Sequence, residues 1–522
     1  MNQTRRSHLK SLAHRGTIQG VTISTGTPST PKDLCHFYGG VRYGLAPSQR
    51  WRRAKPLPPS FTYGSPETPG RCDTGAGLCP QPGFLHLSPE NPDAWDEDCF
   101  QCNVWTPVGD EPEGGWPVFV FIHGGWLQFG SPNSFNAASL IGEASFKSII
   151  VMPAYRVNLF GFLYSTELAA DAATANETTG NHGVWDQRLA LEWTKENIHL
   201  FGGDPNRITI SGYSAGANSV FHQLAHDLRQ SDEKRIIHQA VIWSNSPTVP
   251  PKKPAETQRQ FDELLTALGI PLSLSAEEKV ALLREKPAKE LLDTVSRMQL
   301  HQFRPTMDKE FISESLFEEL DSGAFAQRLR DRGIRLIIGE CADERFLYST
   351  WYPPKGNTLP ALRERLVADY PTHIVDAVVE MYYPAQGQGQ GQELPSHCKD
   401  WDSDAWGRVY ADLQVHCMQR GFVNALTGDN ADGVDASASV FRYRIEWRAQ
   451  CVDAVLPVEW GVTHSSDYPV WFFGNGGLLG VEEGVLLRGL FWSLWGGLWR
   501  VRRSLGGGLS GGGEGFEGGW GC

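Results

Sequence analysis

Residues 207–220 constrain this chain more than any other segment, because Gly212-Tyr213-Ser214-Ala215-Gly216 has the G-x-S-x-G form and is flanked by two different hydrophobic periods. Ile208 and Ile210 alternate with Arg207 and Thr209, as a short buried strand requires. From Ala215 to His226 the apolar residues Ala217, Val220, Phe221 and Leu224 recur at helical spacing. The pentapeptide alone is a weak signal in a glycine-rich chain. A strand, a turn crowded enough to need glycine on both sides, and a helix are the context in which it exposes a serine oxygen. Ser214 is therefore the first candidate nucleophile, and the free N–H groups at the helix start can receive negative charge beside it.

The rest of the chain repeats this alternation. Apolar runs at 118–122, 148–151, 208–210, 240–243, 336–338 and 440–447 read as strands, and segments such as 186–198 between them read as amphipathic helices. That pattern predicts an α/β fold with a large, mostly parallel central sheet covered by helices on both faces. At 522 residues, one large domain with insertions and two domains are both compatible with the length. Residues 1–15 read as an N-terminal tail, and the first hundred residues, rich in Pro, Gly and Arg, as a meandering edge with a strand signal at Thr17–Ile23. Residues 247–329 are polar, charged and helical in pattern, which predicts a cap-like insertion. The Gly-Gln repeat from Gln386 to Gln392 reads as a flexible surface loop. From 475 to 522 the Gly- and Trp-rich sequence lacks periodicity and predicts an atypical tail that buries little surface.

Charge and targeting signals narrow the class. A net charge of −13 with no offsetting basic block argues against a nucleic-acid partner. No stretch reaches the roughly 18 apolar residues of a membrane span. Residues 1–16 carry basic groups without an apolar core after them, so a cytoplasmic location is expected, or a secreted one if the native N-terminus differs. Cys79 and Cys99 bracket a short loop that suits a disulfide, while buried free thiols are the alternative for any of the ten cysteines.

An acyl-transfer serine needs a histidine base, an acid to orient it and donors for the oxyanion. The strand 118–122 runs into His123-Gly124-Gly125-Trp126, where paired glycines let backbone N–H groups approach a ligand; Gly125, Trp126 and Ala215 are the expected donors. The strand 336–338 runs into Glu340, Asp343 and Glu344, among which spacing does not choose. Of fifteen histidines, His464 stands late in the chain on a loop after apolar sequence, as a base should.

These segments resemble the type-B carboxylesterase and cholinesterase-like branch of the α/β-hydrolases. The resemblance is carried by Glu97-Asp98-Cys99 with Asn103-Val104-Trp105-Thr106-Pro107, His123-Gly124-Gly125, and Tyr155-Arg156-Val157-Asn158 with Gly161-Phe162. It continues through 186–193, Glu196-Asn197-Ile198, 201–205, the serine turn, Asp343-Glu344 and the His464 loop. It implies one α/β-hydrolase domain over 16–474, with Ser214, Glu344 and His464 as the triad and Glu340, Asp343 and Asp467 in structural roles. It further implies buried ion pairs Arg156–Asp186 and Arg50–Glu97, a Cys79–Cys99 disulfide, and no cofactor or metal. The implied activity is hydrolysis of a small-molecule ester through an acyl-enzyme. Small to medium apolar or aryl esters are expected, since Trp126 stands where the family has a third glycine and its indole would reshape the acyl pocket. Arg345, in place of a glycine after the acid, is expected to strain or redirect that turn. The alternatives are a non-catalytic cholinesterase-like binding protein and an inactive product of an aberrant C-terminus. Transesterase or lactonase chemistry would share the acyl-enzyme.

Overall fold

The computed structural model describes residues 3–27, 29–85, 91–245, 249–384, 393–428, 439–477 and 479–489. Ten strands form a continuous path through one sheet: β1 (Thr4–Ser11), β2 (Thr17–Thr27), β3 (Thr30–Arg42), β4 (Gln101–Pro107), β5 (Trp116–Ile122), β6 (Ile149–Pro153), β7 (Gly203–Tyr213), β8 (Gln239–Trp243), β9 (Arg335–Cys341) and β10 (Val440–Ile445). Their spatial order is β1-β2-β3-β4-β6-β5-β7-β8-β9-β10, and the two-residue strand Gly70–Arg71 adds to β2. Pairing is antiparallel from β1 to β6 and parallel from β6 to β10. All six apolar runs read from the sequence are strands of the parallel half. The inner ones are buried on both faces and carry near-continuous apolar sequence, as Val118–Ile122 does, whereas β10 closes the sheet as an edge strand with no fully buried residue.

The N-terminal side differs from the sequence reading. Residues 4–11 are not a tail but an edge strand paired with β2 over its whole length. Its mostly exposed pattern and its Arg5, Arg6 and Lys10 conceal it, because charge is how an edge strand is protected from further pairing. β3 was also not legible, since Pro31, Gly39 and Gly40 interrupt the strand pattern.

Helices cover the faces. α1 (His182–Asn197) and α2 (Ala215–Asp227) pack against the parallel strands, α2 being buried along nearly all its length. Between β8 and β9 the chain makes five helices from Pro254 to Asp331, and their Phe261, Leu264, Leu283, Leu291 and Phe325 join the same apolar core as the sheet. Between β9 and β10 lies a second helical excursion, from Arg345–Ser349 to Cys417–Thr427, that the sequence did not single out. Its apolar residues form a separate cluster with Trp126 and Phe129. Residues 481–489 are helical, with Leu487 buried beside Phe473, so the expected absence of packing does not hold for that stretch; residues 490–522 and 385–392 lie outside the described residues. No helix among the described residues is long and apolar enough to cross a membrane.

Candidate active site

Ser214 sits at the junction of β7 and α2 with φ 56° and ψ −126°, a backbone conformation that costs an ordinary residue on the order of 1–3 kcal/mol. The surrounding glycines make it possible. A Cβ on Gly212 would run into the Gly216 carbonyl, and one on Gly216 into the carbonyls of Ile122 and His123. The Ser214 N–H is fixed by the Trp243 carbonyl of β8 at 2.9 Å. The strained turn is thus held between two strands and a helix, with its side chain facing a cavity of about 330 Å³.

His464 faces the same cavity and is 1% exposed. Its Nδ1 meets Glu344 Oε2 at 2.6 Å, and the other oxygen of that fully buried carboxylate accepts the Cys341 N–H at 2.8 Å. Burial alone would raise the Glu344 pKa. The charge and hydrogen bond of His464, with help from His416 and the Cys341 N–H, outweigh it and hold the carboxyl below its ordinary value. The loops carrying acid and base are joined directly, since the Asp343 N–H donates to the Val462 carbonyl at 3.0 Å. Of the competing carboxylates, Asp343 pairs with Arg345 at 3.0 Å and Glu340 lies 3.0 Å from His416; neither reaches His464.

Arg345 does not strain the turn. It opens the helix Arg345–Ser349 with Glu344 as the preceding cap at φ −73°, and its guanidinium lies between Asp343 and Asp404. A helical backbone there needs no glycine, so the substitution is absorbed.

The expected oxyanion donors border the same cavity. Gly125 has φ +106°, Trp126 φ +53° and Leu127 φ +64°, so Trp126 occupies a left-handed position that favours glycine. Among the described residues, the N–H groups of Gly125, Trp126 and Ala215 donate to no acceptor. The Trp126 indole lies face to face with Trp351, centroids 4.6 Å apart and planes 12° apart, and edge-on to Phe84. It forms one wall of the cavity.

Uncharged amides hold this loop, and the sequence reading missed them. Gln81 brackets Gly130, accepting its N–H at 2.6 Å and donating to its carbonyl at 3.1 Å. Gln128 donates to the Trp126 and Phe303 carbonyls, while the Asn158 side-chain amide donates to the Pro80 and Gln128 carbonyls at 2.8 and 3.1 Å. Their partners are backbone N–H and carbonyl groups, which leave no trace in a motif; Asn158 alone stood within one. His123 stacks on Tyr155 at 4.3 Å, and burial lowers its pKa to about 4, so it is a neutral support.

A second clamp holds the base. The Tyr213 hydroxyl donates to Asp467 Oδ1 at 2.5 Å and accepts the Ser465 N–H at 2.8 Å; the Trp471 indole N–H donates to Asp467 Oδ2 at 2.8 Å. Tyr213 stood inside the pentapeptide and Asp467 three residues after His464, spacings that could have suggested the link. Arg156 and Asp186 form a buried two-pronged pair at 2.7 and 2.8 Å, and Arg50 pairs with Glu97 at 2.5 and 2.7 Å. Cys79 and Cys99, the expected disulfide partners, are brought into contact as two buried free thiols.

Comparison with known proteins gives the family. The model of the carboxylesterase family matches residues 8–477. A carboxylic ester hydrolase of Gibberella moniliformis is 44% identical over 489 residues, covering 92% of this chain and 86% of its own. The para-nitrobenzyl esterase of Bacillus subtilis is 31% identical over 356 residues, 64% of each chain. The crystal structure of Aspergillus niger EstA shares the fold with a TM-score of 0.67 at 22% identity, over 92% of this chain and 85% of that one. With an α/β-hydrolase sheet, a strained serine turn and a buried acid–histidine pair beside it, the chain is an esterase and belongs to the carboxylesterase family.

Proposed function

We propose that the protein hydrolyses carboxylic esters through a Ser214 acyl-enzyme, with small to medium apolar or aryl esters as substrates. His464, oriented by Glu344, takes the Ser214 proton as the oxygen attacks the ester carbonyl. The N–H groups of Gly125, Trp126 and Ala215 receive the oxyanion. His464 returns the proton to the departing alcohol, then activates the water that hydrolyses the acyl-enzyme. The observation that carries the reading is the 2.6 Å contact of the His464 Nδ1 with a carboxylate wholly out of solvent, on the same cavity wall as the strained serine.

The substrate reading rests on the cavity. Phe129, Phe135, Leu347, Val452, Leu456 and Tyr468 line it, and its volume of about 330 Å³ stands at the small end of the roughly 300–1,000 Å³ of ligand pockets. Ser214→Ala should lose p-nitrophenyl butyrate hydrolysis and fluorophosphonate labelling together. A Ser214→Ala protein as active as the parent would refute the mechanism. A profile across p-nitrophenyl esters from acetate to palmitate should peak at short to medium acyl chains, and a maximum at palmitate would refute the substrate class.

A further inference from the structure

Tyr348 follows Glu344 by four residues on the helix opening at Arg345, so one turn carries the acid and this phenol to the same face. The ring is wholly buried and held by three others: edge-on to Tyr410 at 5.4 Å, edge-on to Trp126 at 5.7 Å, and 4.6 Å from the His464 ring. Its hydroxyl lies beside the side chains of Ser214 and Asn245. Yet among the described residues it completes a hydrogen bond with neither, and the Asn245 Oδ1 is likewise buried without a partner. A buried hydroxyl left so costs about 1–3 kcal/mol, which calls for a reason at this spot. Burial, with Glu344 adding to it, pushes the phenol well above its usual value, so it is a neutral donor and not a base.

We infer that Tyr348 is a catalytic hydrogen-bond donor to the Ser214 oxygen, acting chiefly when that oxygen leaves the acyl group during hydrolysis of the acyl-enzyme. The inference rests on the serine mechanism proposed above. In that step water, deprotonated by His464, adds to the acyl carbonyl. The tetrahedral intermediate collapses, the bond from carbonyl carbon to Ser214 Oγ breaks, and Oγ takes the proton back from the His464 imidazolium. While the bond breaks, Oγ carries negative charge and moves off the acyl carbon, and the Tyr348 hydroxyl, its ring fixed by three others beside the serine, donates to it at that point. The same donor makes a neutral serine oxygen a slightly weaker nucleophile, so its benefit falls on expulsion and not on attack. Tyr348 neither gains nor loses a proton overall.

The test is Tyr348→Phe, which keeps the ring and its packing and removes only the hydroxyl. With p-nitrophenyl acetate, kcat and KM should fall together by roughly tenfold or more, the worth of one such hydrogen bond, while kcat/KM stays within about threefold. A stopped-flow burst of one p-nitrophenolate per site should precede the slow steady state. Asn245→Leu, which removes the phenol's other neighbour, should shift kcat in the same direction by less. A parallel loss of kcat and kcat/KM with KM unchanged, or unchanged kinetics in Tyr348→Phe, would overturn the inference. A parent that fluorophosphonate does not label at Ser214 would instead overturn the mechanism on which it rests.

Discussion

Replacing Glu344 by glutamine tests the reasoning about the site most directly, because the structure dictates how the new amide must sit. One Glu344 oxygen accepts the Cys341 N–H at 2.8 Å, and the other faces His464 Nδ1 at 2.6 Å. A glutamine can satisfy the Cys341 N–H only with its carbonyl oxygen, which turns its NH2 toward His464. Nδ1 must then accept, the proton moves to Nε2, and the imidazole presents the wrong tautomer to Ser214. The imidazolium formed during attack also loses its counter-charge. Unit charges about 4 Å apart attract by about 4 kcal/mol at an effective dielectric constant of 20, about a thousandfold in rate. Tautomer and charge losses together place the expected fall in kcat/KM at about 10³–10⁴, in line with the acid-to-amide change in a serine-protease triad. The assay is p-nitrophenyl butyrate hydrolysis against pH, with thermal unfolding as the check that the variant is folded. A folded Glu344→Gln protein within tenfold of the parent would refute the assignment of the acid.

Three further outcomes follow from single observations. Trp126→Gly relieves a left-handed tryptophan, worth about 1–2 kcal/mol, but deletes a buried side chain packed on Trp351, worth about 3–5 kcal/mol. It should unfold about 2–3 kcal/mol more easily while cleaving bulky acyl esters relatively faster than acetate, and an unchanged ester profile would show that Trp126 does not shape the cavity. In Gly124→Ala the new Cβ would stand 2.9 Å from the Ser214 Cβ and 2.7 Å from the Tyr213 carbonyl oxygen, so kcat/KM and fluorophosphonate labelling should both drop about 100-fold, and full labelling would contradict the close approach. Lys252 is buried with its ammonium donating to the Gln302 carbonyl at 2.8 Å, and burial lowers its pKa to about 8, against about 10.4 in an unfolded chain. The unfolded chain then binds more protons between those values, so the Lys252 contribution to stability rises with pH across that window. Urea unfolding should show the parent gaining about 2 kcal/mol on Lys252→Met between pH 7 and pH 9.5, and an unchanged gap would mean the ammonium is not desolvated.

What the sequence disclosed and what it concealed divide along physical lines. The inner strands of the parallel half were legible because burial on both faces writes itself as near-continuous apolar sequence, and the exposed edge strand β10 because its Val, Phe, Tyr and Ile favour a strand. Ser214 was legible because its turn needs two glycines, and each of those glycines meets backbone in the fold. His464 was singled out by its place on a late loop, the choice of Glu344 over Glu340 and Asp343 came from resemblance, and the structure brings that acid to the Nδ1. The edge strand β1 was concealed by charge, and the helices after Glu344 by the absence of any reason in the sequence to place Trp351 against Trp126. The roles of Gln81, Gln128 and Asn158 were concealed for another reason: they act on backbone N–H and carbonyl groups, which nearly every residue has.

The expected weak point was whether residues near the end of the described chain hold His464 beside Ser214, and the contacts answer through a closed circuit. The Ser214 N–H is bound to the Trp243 carbonyl, and the Trp243 ring stacks on Trp471 at 4.8 Å with 19° between planes. Trp471 donates to Asp467, Asp467 accepts from Tyr213, and Tyr213 is the residue before Ser214. The Tyr213 oxygen also binds the N–H of Ser465, the residue after His464. Every link lies at or before Trp471. A circuit of this kind has two arms between nucleophile and base, one through the sheet and one through the phenol, so moving His464 away from Ser214 requires breaking both. Removing residues beyond 489 should therefore cost far less activity than Asp467→Ala, which opens the circuit at the point where both arms meet and leaves the buried Tyr213 hydroxyl and Trp471 indole without their acceptor.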